Sequence, residues 1–347
     1  MIYRPLGSTG IEVSALALGG STFGGGLHFR DETAMRRIVD IAFDAGVTFF
    51  DTSPGYGHGN SERVFGRSLA ARRDKVVIAT KGGMTLSRLG ALAMKLRPAL
   101  VPARALLKRV RRELNLMRDS QQSYSYRPDD IRRHLEGSLR RLGTDHVDLY
   151  QFYNVTESAM ARDDLFDVMS RLKEEGKIRA AGLTVVFPDG LGRAADLPGL
   201  DAVQFAISLL DRDGSATFLP VAIERRIGVI GRSPLAQGFL TSADGEVMGH
   251  ETSHSTRDRL RERADCGKSL RVLARADRSM AQTALRYALD LDGISTCLFA
   301  VRSEAELREN LGVLASPPLS ATDLAEVERL APMAKCSLRP PGQAIAT

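Results

Sequence analysis

The chain has 347 residues, 43% hydrophobic and 26% charged, a composition that fits a folded globular protein and excludes a disordered or fibrous one. No run of about 18 apolar residues is present, so a transmembrane segment is not expected. The net charge of +6 is local: Leu86 to Arg118 holds nine Lys or Arg and one Glu, so the remainder sums to −2, which argues against nucleic acid as a partner.

The first residues, MIYRPLGSTG, lack the apolar core of a signal peptide. Cys266, Cys297 and Cys336 have no metal-type spacing, and no metal site is expected. They are read as reduced thiols of a cytoplasmic protein.

In chain order, the first strand is predicted at about 14–19. A helix follows at 31–45, with Asp31 and Glu32 in its opening turn and an apolar face of Met35, Ile38, Val39, Ile41 and Ala42, stopped by Gly46. Strands at 48–52 and 76–81 bracket a helix at 61–72. Beyond them the spacing predicts strands at 147–152, 179–185, 202–206, 228–232 and 294–300. Helical patterns lie at 129–142, 163–175, 217–226, 279–290 and 304–314. Eight strands alternating with helices imply parallel pairing through right-handed crossovers, and so an α/β fold: a closed (β/α)8 barrel, the TIM-barrel architecture, spanning 1–347 as one domain. A doubly wound open sheet is the alternative. It is disfavoured because no strand runs into a G-x-G-x-x-G turn; Gly19-Gly20 and Gly24-Gly25-Gly26 have the wrong spacing.

Residues 84–125 break the rhythm as an insertion after the third strand. Within it Leu106, Leu107, Val110, Leu114 and Met117 follow helical spacing, with Arg104, Lys108, Arg109, Arg111 and Arg112 between them. This basic amphipathic helix is expected to pack on the barrel rim, to act as a lid at the mouth, or to form a surface drawn to anionic lipid or an anionic substrate.

In such a barrel, chemistry sits at the C-terminal strand ends. Asp51 ends the second strand, Lys81 ends the third, and Tyr56 lies on the loop after the second. A phenol titrates near ~10 and exchanges protons poorly at pH 7. A nearby ammonium favours the phenolate, and a carboxylate can orient that ammonium, so the three are read as proton-transfer machinery.

Several motifs resemble the aldo-keto reductase superfamily. Tyr3-Arg4-Pro5-Leu6-Gly7 with Gly10-Ile11-Glu12-Val13-Ser14 is similar to its opening β-hairpin, which plugs the barrel bottom. Asp51-Thr52-Ser53 through Tyr56-Gly57, followed by Ser61-Glu62, resembles its most specific motif. Lys81 matches its third catalytic position, and Leu142-Gly143-Thr144-Asp145 with Val147-Asp148-Leu149-Tyr150 matches the run into the fourth strand. The resemblance implies reduction of a carbonyl or imine of a small-molecule metabolite with NADPH, Tyr56 giving the proton with help from Lys81 and Asp51. It also implies cofactor contacts from Thr22, Gln204, Ser233, Leu235, Gln237, Gly238, Arg302, Glu306 and Asn310, with Arg302 suited to a 2′-phosphate. Self-association is left open.

Three positions depart from that pattern. Tyr153 stands where a catalytic histidine is usual after the fourth strand, and a phenol does not become a cation near neutral pH. Val185 replaces an asparagine that would bond the carboxamide, and Ile207 replaces an aromatic that commonly covers the nicotinamide. His28, in the first loop, is the one histidine considered as a substitute. These departures leave two alternatives to a reductase: a non-reductive step such as isomerisation, dehydration or internal redox, and a regulatory or binding subunit.

Overall fold

The computed structural model describes residues 1–24, 31–85, 123–155, 157–160, 162, 164–185, 190–241 and 257–337. The chain opens with an antiparallel hairpin of β1 (Tyr3–Pro5) and β2 (Glu12–Ser14). Then come β3 (Leu16–Gly19), β4 (Phe49–Asp51) and β5 (Val77–Gly82). A short antiparallel ribbon, β6 (Met84–Thr85) with β7 (Ser123–Tyr124), follows. The remaining strands are β8 (Val147–Phe152), β9 (Ile178–Thr184), β10 (Ala202–Ala206), β11 (Gly228–Arg232) and β12 (Thr296–Phe299).

β3, β4, β5, β8, β9, β10, β11 and β12 pair in that order, every pair parallel, and β12 returns to β3. This is the closed (β/α)8 barrel expected from the alternation. Closure leaves no exposed strand edge. Helices surround it: α1 (Glu32–Asp44), α2 (Asn60–Leu69), α3 (Pro128–Leu142), α4 (Asp167–Glu174), α5 (Asp213–Arg225), α6 (Arg257–Ser269), α7 (Met280–Leu289), α8 (Glu304–Leu311), α9 (Ala321–Leu330) and α10 (Met333–Cys336). Local sequence explains their ends. Asp31 accepts from the Thr33 amide at the start of α1, and Gly143, at φ 68°, closes α3.

Strand parity divides the core in two. Ala17, Phe49, Val77, Ala79, Leu149, Ala180, Ala202, Ile230 and Leu298 fill the barrel interior together with Leu6, Ile11 and Val13 of the hairpin region, which plug its lower end. The alternate strand residues, among them Leu18, Phe50, Ile78, Val203, Phe205 and Val229, join the cluster shared with the helices. Arg4 pins the plug by donating to the carbonyls of Ile294 and Leu289 at 3.1 and 3.0 Å.

The insertion leaves the barrel through the β6–β7 ribbon, directly after β5. The basic amphipathic pattern of Arg104 to Met117 lies outside the described residues, as does His28.

The cysteines correct the expectation. Cys266 of α6 and Cys336 of α10 form a disulfide, while Cys297 is a buried free thiol inside the barrel wall. Spacing along the chain says nothing about two sulfurs brought together across 70 residues by tertiary packing. Around the link, Arg263 donates to both oxygens of Asp211 at 2.9 and 2.8 Å and to the Cys336 carbonyl at 2.6 Å. Burial pushes the Cys297 thiol up to about 12, against a smaller opposing pull from Arg4.

Thiol titration checks this pairing. Protein purified without reductant should show no reactive thiol when native, one when denatured, and three when denatured and reduced. Three thiols in denatured, unreduced protein would contradict it.

Candidate active site

Parity carries a second consequence at the C-terminal strand ends. Two residues beyond each inward apolar side chain stands another inward position. Phe49 is followed by Asp51, Ala79 by Lys81, Leu149 by Gln151, Ala202 by Gln204, and Ile230 by Arg232. The mouth of the barrel is therefore polar because of the alternation that makes its interior apolar.

Asp51 is the hub. Its Oδ1 pairs with Lys81 Nζ, and both side chains are 1% exposed. Lys81 also donates to the Thr52 carbonyl at 2.9 Å. The other oxygen, Oδ2, accepts from Gln151 Nε2 at 3.1 Å and from Gln204 Nε2 at 3.2 Å. A buried charge pair survives only when its remaining hydrogen-bonding capacity is met, and the two amides do that here.

Tyr56 is half-buried beside this pair, with Lys81 Nζ 5.2 Å from its ring centre. Its loop is anchored by Tyr56 N donating to the Ser53 carbonyl at 3.0 Å. Gly57 follows at φ 61°, where a Cβ would overlap the Gly24 carbonyl, so the loop is built for glycine. Behind it, the Thr52 hydroxyl donates to Ser61 at 2.8 Å, and Glu62 accepts from Thr80 at 2.8 Å and pairs with Arg141.

The phenol corrects the expected direction. Tyr56 lies well above its ordinary pKa, because burial penalises the phenolate and the Asp51 carboxylate repels it; Arg232 acts weakly the other way. With its charge compensated by Asp51, Lys81 does not ionise the resting phenol. Tyr56 is thus a protonated group at neutral pH.

Tyr153 also reaches this cluster. Its amide donates to the Gly82 carbonyl at 2.8 Å, and its ring stacks on Tyr124 at 6.3 Å. Burial, then the neighbouring Tyr56 phenol, pushes its pKa up to about 12, with Lys81 opposing. Tyr126 fixes the turn from the other side, donating to the Tyr153 and Asn154 carbonyls at 2.9 Å each. The ribbon at the base of the insertion thus contributes an aromatic wall to the mouth, a role not visible in the sequence.

The expected cofactor residues form a separate arc. Gln204 comes from β10. Ser233, Leu235, Gln237 and Gly238 lie on the loop after β11. Arg302, Glu306 and Asn310 follow β12, and Thr22 follows β3. These are four consecutive strands of the ring. Thr22 donates its hydroxyl to the Val301 carbonyl at 2.7 Å, joining the two ends of the arc. Ser233, Ala236 and Gln237 adopt φ of 56°, 46° and 60°, a left-handed backbone that non-glycine residues hold only under constraint and that concentrates at ligand sites. Asn310 is 2% exposed and its Nδ2 has no partner. A buried unpaired amide on one strand's following helix and a constrained loop after another suit a polar ligand with phosphates and a base, so these residues fit a dinucleotide. Arg302 Nε and its backbone N–H donate to the two oxygens of Glu306, at 3.0 and 2.7 Å.

Two expected departures change meaning. Ile207 and Val185 are buried, 0% and 2% exposed, in the cluster between strands and helices. Parity turns them outward, so neither covers a ring at the mouth. The sequence reading missed Gln151 and Arg232. Each follows an inward apolar residue by two places, which is the signal that would have found them.

The chain belongs to the aldo/keto reductase family, whose model matches residues 15–332. It is 32% identical over 243 residues to the NADH-specific methylglyoxal reductase of Escherichia coli, 68% of each chain. It is 26% identical over 345 residues to the aldo-keto reductase YhdN of Bacillus subtilis, covering 95% of this chain and 93% of that one. The aldo-keto reductase AKR11C1 from Bacillus halodurans, in its holo form, superposes with a TM-score of 0.75 at 25% identity, over 96% of this chain and 97% of that one. Membership identifies an oxidoreductase of a family that typically binds a nicotinamide cofactor. Among the described residues no helix is long and apolar enough to cross a membrane.

The hub is testable by stability. Lys81→Met should lower the unfolding free energy by about 3 kcal/mol, because it leaves Asp51 charged and buried. Adding Asp51→Asn should recover part of that loss. Urea unfolding that shows the two losses simply adding would contradict a coupled pair.

Proposed function

We propose that the chain is an NADPH-dependent reductase of a carbonyl or imine in a small-molecule metabolite, with Tyr56 as the proton donor. One observation carries this reading: Tyr56 is held at the barrel mouth beside a buried, charge-compensated Asp51–Lys81 pair, in the same ring of strand ends that carries the expected dinucleotide residues. When bound, the dinucleotide supplies a hydride to the carbonyl carbon. Tyr56 then donates its phenolic proton to the substrate oxygen as negative charge develops there. Lys81 stabilises the phenolate left behind, and Asp51, held by Gln151 and Gln204, keeps the ammonium in place.

Tyr153 occupies the place of the usual histidine and offers a neutral hydroxyl donor to the same oxygen. It orients the substrate without adding charge. An already electrophilic acceptor, such as a protonated imine or an activated carbonyl, suits a site of that kind.

For the cofactor, Arg302 is the residue assigned to the 2′-phosphate, since a guanidinium matches phosphate geometry. The engagement of Arg302 by Glu306 favours a second reading, NADH, in which the carboxylate accepts from a 2′-hydroxyl. The Escherichia coli relative is named as NADH-specific, which supports that second reading.

Three outcomes follow. Tyr56→Phe should lower reductive kcat on the order of a hundredfold or more while leaving dinucleotide affinity unchanged; unchanged turnover of a confirmed substrate would refute the assignment. Because a raised pKa means the phenol holds its proton as pH rises, reductive kcat/KM should show no basic limb from Tyr56 below about pH 10; a limb between pH 7 and 9 that vanishes in Tyr56→Phe would overturn it. Arg302→Ala should weaken NADPH binding about tenfold to a hundredfold and NADH binding far less. Equal weakening of both, by calorimetry, would favour NADH.

A further inference from the structure

Among the described residues, the charges at the barrel mouth do not cancel. Asp51 and Lys81 neutralise each other, and Tyr56 and Tyr153 are held as neutral phenols. Arg232 remains. It is the last residue of β11, half-buried, and follows the inward Ile230 by two places. Its Nη2 donates to the Val185 carbonyl at 3.2 Å, at the end of β9, so the guanidinium is held across the end of β10. Among the described residues it forms no ion pair with a carboxylate.

Its place in the ring sets what it faces. In the pairing order β11 lies four strands from β5 and is therefore opposite Lys81. Gln204, its neighbour on β10, touches Asp51 directly across the barrel at 3.2 Å, which shows how narrow the gap is. Arg232 also runs without a break into Ser233, the start of the constrained loop assigned to the dinucleotide. On the nicotinamide reading, Arg232 stands where the loop that would hold the dinucleotide leaves the mouth, so its guanidinium would lie near the redox ring.

We propose that Arg232 makes this site discriminate between the oxidation states of the dinucleotide, binding the reduced form more tightly than the oxidised form. The inference rests on the nicotinamide reading above. The oxidised ring is a cation and the reduced ring is neutral. A fixed guanidinium against the ring repels only the first. The phosphates and ribose are common to both forms, so their attraction to the site cancels in the ratio. A unit charge at contact range in a partly buried site shifts such an equilibrium on the order of tenfold or more. In the reductive direction the consequence is kinetic: the oxidised product leaves readily, and the reduced form reloads.

The test needs no turnover. Dissociation constants for NADPH, NADP⁺, NADH and NAD⁺ are measured by calorimetry on the full chain, on Arg232→Gln and on Arg232→Lys, with thermal unfolding to check that each is folded. The full chain should bind the reduced partner at least about tenfold more tightly than the oxidised one. Arg232→Gln should bring the ratio within about threefold of unity, mainly by tightening the oxidised form, and Arg232→Lys should keep most of it. A ratio near one in the full chain, or a ratio that Arg232→Gln leaves unchanged, would overturn the role of Arg232 while leaving the nicotinamide reading standing. Failure of the full chain to bind any of the four nucleotides would sink both.

Discussion

The site is organised around a single buried ion pair. Asp51 and Lys81 come from neighbouring strands, β4 and β5, and both are removed from water. Such a pair is expensive to bury and is held only because Thr52, Gln151 and Gln204 satisfy what the two charges leave over. Gln204 is the informative member. It arrives from the far side of the barrel, so the hub depends on closure of the whole ring. An open sheet would leave Asp51 without that amide.

Compensation within the pair decides the state of Tyr56. An isolated ammonium beside a phenol would draw it toward the phenolate. Here the carboxylate cancels that pull, and burial raises the phenol's pKa instead. The group is thereby suited to giving a proton rather than taking one. The mouth as a whole is divided by strand order. The proposed proton-transfer groups belong to β4, β5 and β8 and the loops after them, and the expected dinucleotide residues belong to β10, β11, β12 and β3 and the loops after them. Arg232 belongs to the second arc and, among the described residues there, forms no ion pair with a carboxylate.

Much of this was legible in the residues. The eight barrel strands lie where apolar β-rich runs alternate with helical stripes, and the strand ends placed Asp51 and Lys81 together. What was not legible was anything set by distance along the chain. Cys266 and Cys336 meet through the packing of α6 and α10, which no local pattern encodes. α6 and α9 were missed because neither presents a clean apolar stripe to a short window. Ile207 and Val185 were read as facing the site by position alone, whereas strand parity turns them outward into the helix layer. The same parity, applied to Ile230, would have brought Arg232 forward. The stacking of Tyr124 on Tyr153 required knowing that the insertion begins and ends in a paired ribbon.

The account stands on Tyr56 being a neutral phenol in the folded protein. The direct measurement is the ¹³Cζ chemical shift of Tyr56 in tyrosine-labelled protein, followed from pH 6 to 10.5 and assigned by its loss in Tyr56→Phe. The resonance should stay at the phenol position across that range, with Lys81→Met causing no shift toward phenolate. A phenolate shift appearing between pH 7 and 9 would contradict the compensated pair and return Tyr56 to the role of a base.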